Sequence, residues 1–331
     1  MIKNLKNVKV IGTGSYLPPD VLTNNDLEKM VDTNDEWIIT RTGIKERRIV
    51  RNNEITSDIS AKAALRALED AKLRPKELEL IIVATNSPDM IFPATTCLVQ
   101  DKIKAINAAT FDLQAGCSGF IYGMITAWQF IVSGFYNNAL VIGAETLSKF
   151  VDWTDRNTCV LFGDGAGAVV LKADKTEGIL SGYLKGDGSG ADLIKIPAGA
   201  SKIPASHETV EQRLHYVKMK GNEVFKYAVK YMKRSTIKAL EKCHLSVTDV
   251  DCLIPHQANI RIISVVAKVL GIEKDKVYIN IDKYGNTSAA SVVIALDEAV
   301  RQGNIQNGDI VVLTAFGAGL TYGSVVFRWN K

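Results

Sequence analysis

Cysteine is scarce and scattered. The five thiols among 331 residues, Cys97, Cys117, Cys159, Cys243 and Cys252, are odd in number and form no close pair. A disulfide scaffold and a closed zinc site both need paired thiols at short spacing, so neither is expected, and four of the five read as free thiols that simply pack. Long apolar runs are missing at the start, where Met1 to Val8 is interrupted by lysines. The expectation is a cytoplasmic protein with no secretory signal and no membrane contact. Charge of one sign is not in large excess: the net charge is +4 and 23% of residues are charged, which is ordinary for a folded chain. No nucleic-acid motif accompanies the basic residues, so nucleic acid is not an expected partner. With 47% hydrophobic residues the chain can bury one large core or two fused ones.

Two glycine-rich stretches also lack what a nucleotide site requires. Val10 to Pro19 begins like a dinucleotide fingerprint, but the third glycine is absent and Pro18 and Pro19 stand where a helix would open to hold a pyrophosphate. Gly163 to Gly167 has neither the lysine nor the hydroxyl residue of a phosphate-binding loop and runs into the strand-like Ala168 to Leu171, so it reads as a tight turn.

Three polar side chains stand at the ends of apolar strands. An apolar strand from Ala108 to Leu113 leads to Gly116-Cys-Ser-Gly119 and then to an apolar helix, Phe120 to Val132. Unpaired N–H groups and the dipole at that helix start favour a thiolate, which makes Cys117 a candidate nucleophile, although a lone cysteine can equally be a small buried hydrophobe. His256 follows the strand Val250 to Ile254 and precedes the helical pattern Ile260 to Leu270. Asn286 follows a strand expected at Val277 to Ile281 and precedes a helix that begins in small residues. Open α/β sheets hold their ligands at such strand ends. Each residue alone could be a helix cap, but the three together form a constellation of roles. His207, His215 and His244 lie in polar stretches and are expected at the surface.

The order of elements repeats. Strand Leu78 to Ala84, the Cys117 unit, strand Ala139 to Gly143 and Gly163 to Leu171 are matched by strand Val250 to Ile254, the Asn286 unit, strand Ile310 to Thr314 and Gly319 to Trp329. Cys117 stands 24 positions before Val141, and Asn286 stands 25 before Val311. A long repeat of this kind fixes architecture, and the two halves are expected to cover residues 1–174 and 175–331, meeting near 172–178.

The chain resembles the thiolase-fold condensing enzymes, and within them the β-ketoacyl-acyl carrier protein synthase III family, which starts bacterial type II fatty acid synthesis. The likeness is carried by Ile11 to Pro18, Asp35 to Ile38 with Thr40 to Ile44, Gly116 to Gly119, Phe162 to Gly167, Gly221 to Phe225, Pro255 to Asn259, Gly285 to Ser291 and Phe316 to Gly323, in that order. It implies an α/β fold of two duplicated βαβαβαββ halves in five αβαβα layers, and a homodimer. The implied reaction is a ping-pong decarboxylative condensation. Cys117 takes the acyl group of a short acyl-CoA, acetyl-CoA by expectation, and malonyl-acyl carrier protein then supplies the enolate that yields 3-oxoacyl-acyl carrier protein. No cofactor or metal is expected, acyl-CoA being a substrate.

By the same resemblance, His256 and Asn286 stabilise the enolate as neutral N–H donors. The backbone N–H groups of Cys117 and Ala318 form an oxyanion hole, with Ala318 where some relatives carry glycine. Trp37 and Arg156 are expected to sandwich the CoA adenine. Arg41, Gly221, Phe225 and Asn259 are expected to line the pantetheine passage, and Phe92 to close the acyl pocket across a dimer interface. Lys226, Arg261 and Lys268 belong to a basic rim suited to the acidic carrier protein. That rim continues through Lys230, Lys233 and Arg234 on a helix, Asn222 to Cys243, whose apolar stripe is expected to include Phe225, Val229 and Met232. The alternatives are a condensing enzyme or acyltransferase of secondary metabolism that uses the same acyl-cysteine, and a catalytically silent module binding CoA or carrier protein.

Overall fold

A computed structural model describes residues 6–51 and 53–331. Nine strands build two sheets. The first sheet holds β1 (Asn7–Tyr16), β2 (Leu80–Ala84), β3 (Ala109–Leu113), β4 (Asn138–Glu145) and β5 (Gly165–Asp174), in the order β1-β5-β4-β2-β3. The second holds β6 (Ile179–Gly186), β7 (Cys252–Pro255), β8 (Ile310–Gly317) and β9 (Thr321–Arg328), in the order β7-β8-β9-β6. In each half a parallel pair, β2 with β4 or β7 with β8, continues into two antiparallel partners. The duplication is thus visible in pairing pattern as well as in element order.

The layers follow from hydrophobicity. Strands β2 and β4 are buried at every residue, as expected of strands covered on both faces. Helices α1 (Asp35–Thr42), α2 (Thr56–Asp70), α3 (Thr95–Ile103), α4 (Gly119–Val132), α5 (Gly221–Lys242), α6 (Ile260–Leu270) and α7 (Ser291–Arg301) join them. Apolar nearly all round, α4 shares one core with α7 and with the inner faces of both sheets, through Phe120, Met124, Val292, Leu296, Val141 and Val311. Outside the first sheet lie α2 and α3, which bury Ile59, Ala63, Ala64, Ala67 and Val99. Outside the second lie α5 and α6, which bury Val224, Tyr231, Ile263 and Val266. Five layers result, with both central helices beginning at the sheet ends that carry the polar residues.

Three local expectations are corrected. Val277 to Ile281 is not a strand: Val277 makes a single parallel bridge to Leu253, and Ile281–Tyr284 is already a helical turn. The Gln257 side chain takes the place of further pairing, its amide donating to Tyr278 O at 3.3 Å and its carbonyl accepting from Asn280 N at 3.0 Å. On α5 the buried stripe runs through Val224, Ala228, Tyr231 and Ser235, about one residue away from the expected Phe225–Val229 line, although Met232 is buried on both readings. That rotation leaves Phe225 half-buried beside open space. Cys97 is exposed and does not pack into a core.

Candidate active site

Cys117 sits on the turn between β3 and α4, directly before the first helical residues. Gly116 has φ +54, and a Cβ there would fall 2.5 Å from Ala318 N. A Cβ on Gly317 would fall 2.3 Å from Cys117 N. Glycine at both positions therefore lets a loop from each half touch backbone to backbone, which brings the N–H groups of Cys117 and Ala318 into one patch. Thr321 Oγ1 braces the pair, lying 2.6 Å from Ala115 O and 3.0 Å from Ala318 O.

His256 leaves the end of β7 with its N–H donating to Thr314 O on β8 at 2.8 Å. Its Nδ1 lies 2.6 Å from Ser291 Oγ at the start of α7. Ser291 Oγ also accepts from Gln257 N at 3.3 Å, and its hydroxyl proton is available to donate to Nδ1. With the hydroxyl donating, the imidazole proton is on Nε2. Burial pushes His256 down to about 3, so the ring is neutral at ordinary pH.

Asn286 is pinned to the loop after Val160, donating from its backbone N to Leu161 O at 2.9 Å and accepting at its backbone O from Gly163 N at 3.1 Å. Its Oδ1 accepts from Ser288 N at 2.8 Å, which leaves the side-chain NH₂ as the free end. The loop is held from behind by Arg47, a fully buried guanidinium that donates to Val160 O at 2.8 Å, Asn24 Oδ1 at 2.9 Å and Leu22 O at 3.1 Å.

Burial pushes the Cys117 thiol up to about 11, the Ser288 hydroxyl pulls it back by donating to Sγ at 3.3 Å, and the nearby Glu145 carboxylate adds to the rise. A helix N-terminus contributes up to roughly 2 kcal/mol in favourable, partly buried sites, or about 1.5 pKa units. Burial thus opposes the thiolate expected from the helix start.

A cavity of about 630 Å³ joins these groups to the surface. Cys117, His256, Asn286 and Phe316 line it with Trp37, Arg41, Gly221, Phe225, Lys226, Asn259 and Arg261. Trp37 and Arg41 are four apart on α1 and share a face. Asn259 also has structural work: it caps α6 by accepting from Arg261 N at 2.8 Å and donates to Arg41 O at 2.9 Å. Arg261 stands over the Phe225 ring at 5.8 Å.

Three residues anticipated from sequence lie elsewhere or differ in detail. Arg156 Cζ is 4.8 Å from the Trp37 ring centroid, whereas a flat ring held between them needs about 7 Å, two contacts of roughly 3.5 Å. The gap expected to take an adenine is closed in this conformation. Phe92 is 82% exposed beside Ile91 at 76%, outside the cavity. Lys268 is exposed on α6, away from the cavity lining. Sequence reasoning passed over Ser288 and Ser291, though both lie inside the Gly285–Ser291 motif, and over Glu145, Asn86 and Arg47. An acid closing the otherwise apolar strand β4 was the available signal for Glu145. No group of three or more His, Cys, Asp or Glu able to hold a metal occurs among the described residues.

Residues 111–195 match the family described as 3-oxoacyl-[acyl-carrier-protein (ACP)] synthase III, and residues 240–329 match its C-terminal part. A β-ketoacyl-[acyl-carrier-protein] synthase III of Caldanaerobacter subterraneus subsp. tengcongensis is 61% identical, over 97% of this chain and 98% of the relative. The crystal structure of 3-oxoacyl-[acyl-carrier-protein] synthase III from Aquifex aeolicus superposes with a TM-score of 0.91 at 50% identity, covering 98% of this chain and 100% of that one. The priming β-ketosynthase of the R1128 polyketide biosynthetic pathway superposes with a TM-score of 0.93 at 33% identity, covering 100% and 98%.

Proposed function

The chain belongs to the β-ketoacyl-[acyl-carrier-protein] synthase III family, and from that premise we propose that its chemistry runs through an acyl thioester on Cys117. The protein is a condensing acyltransferase: it joins a short acyl group from acyl-CoA to malonyl-acyl carrier protein, releases CoA and carbon dioxide, and so initiates fatty acid synthesis. Acetyl is the acyl group we favour. In the first half-reaction Cys117 sulfur attacks the thioester carbonyl, and the developing oxyanion is received by the N–H groups of Cys117 and Ala318. The alanine at 318 keeps that donor, since only the side chain differs from glycine.

In the second half-reaction malonyl thioester loses carbon dioxide and the enolate oxygen is held by His256 Nε2–H and Asn286 Nδ2–H. Neutral N–H donors suit this step, because neither brings a carboxylate that would repel the charge developing on the enolate oxygen. Each such donor contributes roughly a hundredfold to a thousandfold in rate. The observation that carries this reading is the meeting of Cys117 from one half with His256 and Asn286 from the other on one cavity, with the donor ends of the last two left free.

Trp37, Arg41, Gly221, Phe225 and Asn259 guide the CoA arm, and Arg156 swings off Trp37 to admit the adenine. Lys226, Arg261 and Lys268 receive the carrier protein. Residues 1–174 and 175–331 form the two halves. The exposed apolar run Met90, Ile91 and Phe92 supports a homodimer in which Phe92 closes the partner's acyl pocket. Among the described residues no helix is long and apolar enough to cross a membrane, and we place the protein in the cytoplasm with its carrier protein. The likeness to a polyketide priming synthase keeps a secondary-metabolite role as the second reading.

The deciding experiment is intact-protein and peptide mass spectrometry after brief exposure to acyl-CoAs from acetyl through branched to medium-chain. An acetyl adduct on the Cys117 peptide, absent in Cys117→Ala, is expected. Wild-type condensation rates in Cys117→Ala would end the proposal, and CoA binding without any adduct would identify a silent module.

A further inference from the structure

Both half-reactions above pass through a Cys117 thiolate, which attacks the acyl-CoA in the first and leaves the new product in the second. Burial opposes that anion, and the Glu145 carboxylate adds a negative charge nearby. The hydrogen bonds on that side of the sulfur run in one direction. Glu145, 0% exposed at the end of β4, accepts at Oε1 from Asn86 Nδ2 at 2.7 Å and at Oε2 from Asn86 N at 3.1 Å and Ser87 Oγ at 2.7 Å. A carboxyl group that already accepts from the Asn86 backbone selects the NH₂ end of its side chain over the carbonyl end. The same NH₂ donates to Ser288 Oγ at 3.2 Å, and the Ser288 hydroxyl donates in turn to Cys117 Sγ at 3.3 Å. An amide passes no proton, so this chain orients the serine hydroxyl and relays nothing.

A second observation concerns the backbone. Ser288 has φ +47, in the left-handed region that a residue with a side chain rarely adopts. That conformation folds its N–H onto Asn286 Oδ1 at 2.8 Å while its hydroxyl faces Cys117. Strain of this kind persists where a site over-determines it. One buried residue thereby fixes the free end of Asn286 and places a donor on the sulfur.

Resting on the reading of Cys117 as the acylated nucleophile, we propose that Ser288 is a catalytic residue whose hydroxyl stabilises the Cys117 thiolate in both half-reactions, with Asn86, anchored on Glu145, as the positioning residue that aims it. In the first, the S–H proton leaves to solvent and the sulfur electron pair forms the S–C bond. The C–S bond to CoA breaks, and the CoA thiolate takes a proton from solvent. In the second, the malonyl C–C bond breaks, carbon dioxide leaves, and the electron pair of that bond forms the new C–C bond. The acyl C–S bond breaks, and Cys117 leaves as a thiolate that takes a proton from solvent. Ser288 keeps its own proton throughout, and no oxidant or reductant is needed.

A thiol sulfur is a weak acceptor, whereas a hydrogen bond to a charged group is worth roughly tenfold to a hundredfold, so the hydroxyl favours thiolate over thiol. The direction of titration agrees: burial leads the influences that raise the Cys117 thiol, and the Ser288 hydroxyl leads those that lower it. Of the charged or titratable groups around the sulfur among the described residues, Glu145 on β4 raises it and His256 beyond β7 is neutral. Asp112 on β3 is turned to the N–H groups of Thr95 and Thr96.

The test is alkylation of the Cys117 peptide by iodoacetamide across pH 6–9, read by mass spectrometry, where the rate follows the thiolate fraction. The full chain is compared with Ser288→Ala, Ser288→Gly, Asn86→Ala and the double variant Asn86→Ala with Ser288→Ala. Both Ser288 variants should be about tenfold slower at each pH. Glycine takes φ +47 without strain and alanine does not, so equal slowing assigns the effect to the hydroxyl, and slowing in Ser288→Ala alone would overturn it. Unchanged or faster alkylation in both would also overturn the proposal, since a serine that only fills space leaves, on removal, a wetter sulfur that ionises more readily. Asn86→Ala should be slower as well, and the double variant no slower than Ser288→Ala; additive slowing would remove Asn86 from the chain. Acylation by acetyl-CoA should fall by the same factor as alkylation, with CoA binding unchanged. Absence of a wild-type acetyl adduct, with the alkylation differences intact, would instead bring down the acyl-Cys117 reading itself.

Discussion

Ser291→Ala isolates the control of the His256 proton. The serine hydroxyl lies 2.6 Å from Nδ1 and accepts from Gln257 N at 3.3 Å, in a region where His256 is only 3% exposed. With the hydroxyl gone, Nδ1 loses the donor that keeps the ring proton on Nε2. A buried neutral hydrogen bond contributes about 1–1.5 kcal/mol, so the bias between tautomers falls by roughly tenfold, and the fraction of rings presenting Nε2–H to the enolate falls with it. The step affected is decarboxylation and condensation. Acylation, which in the proposed mechanism uses Cys117 and the backbone donors, is expected to stay within about twofold. Single-turnover mixing of preformed acetyl-enzyme with malonyl-acyl carrier protein reads the first quantity, quench-flow acylation the second, and ¹⁵N shifts of the imidazole read the tautomer directly. An unchanged condensation rate with a mixed tautomer signal would refute the assignment of His256 as an enolate donor. Parallel loss of acylation would show that Ser291 only supports the local fold.

Three further outcomes are expected. Because burial raises Cys117 to about 11, the thiolate absorbance lost in Cys117→Ala should develop only as pH climbs through 10 and 11, and a signal complete by pH 8 would mean the helix N-terminus outweighs desolvation. Arg47→Leu leaves three acceptors, Leu22 O, Asn24 Oδ1 and Val160 O, without their donor, and at about 1–3 kcal/mol each should lower unfolding free energy in urea by at least about 3 kcal/mol. Lys268→Glu, outside the cavity, should raise KM for malonyl-acyl carrier protein several-fold at low salt and leave acylation by acetyl-CoA alone, and an equal effect at high salt would remove Lys268 from the docking surface.

Much of the fold was legible because it is encoded locally. Apolar runs such as Leu80–Ala84 and Asn138–Glu145 mark strands buried on both faces, and an apolar stretch after Gly119 marks a central helix. The repeat in element order followed from the same runs. Val277 to Ile281 misled for an equally local reason: its residues suit a strand, but the Gln257 side chain occupies the hydrogen-bonding positions a neighbour would need. On α5 the charged residues were correctly exposed, while the buried stripe differed by one position because Phe225 faces the cavity and not the sheet.

The sequence alone determined that Cys117 and His256 stand past strand ends, since each follows an apolar strand and precedes a helix, and it placed Asn286 before a helix although a helical turn, Ile281–Tyr284, precedes it. It could not determine their states. Those depend on neighbours far along the chain: Ser291, 35 residues from His256, contacts its Nδ1, and Ser288, 171 residues from Cys117, supplies the donor to its sulfur. Whether Cys117 rests as thiol or thiolate, and whether Trp37 and Arg156 stand open or closed, was likewise decided by tertiary structure. Desolvation and contact are properties of packed neighbours, and linear spacing records neither.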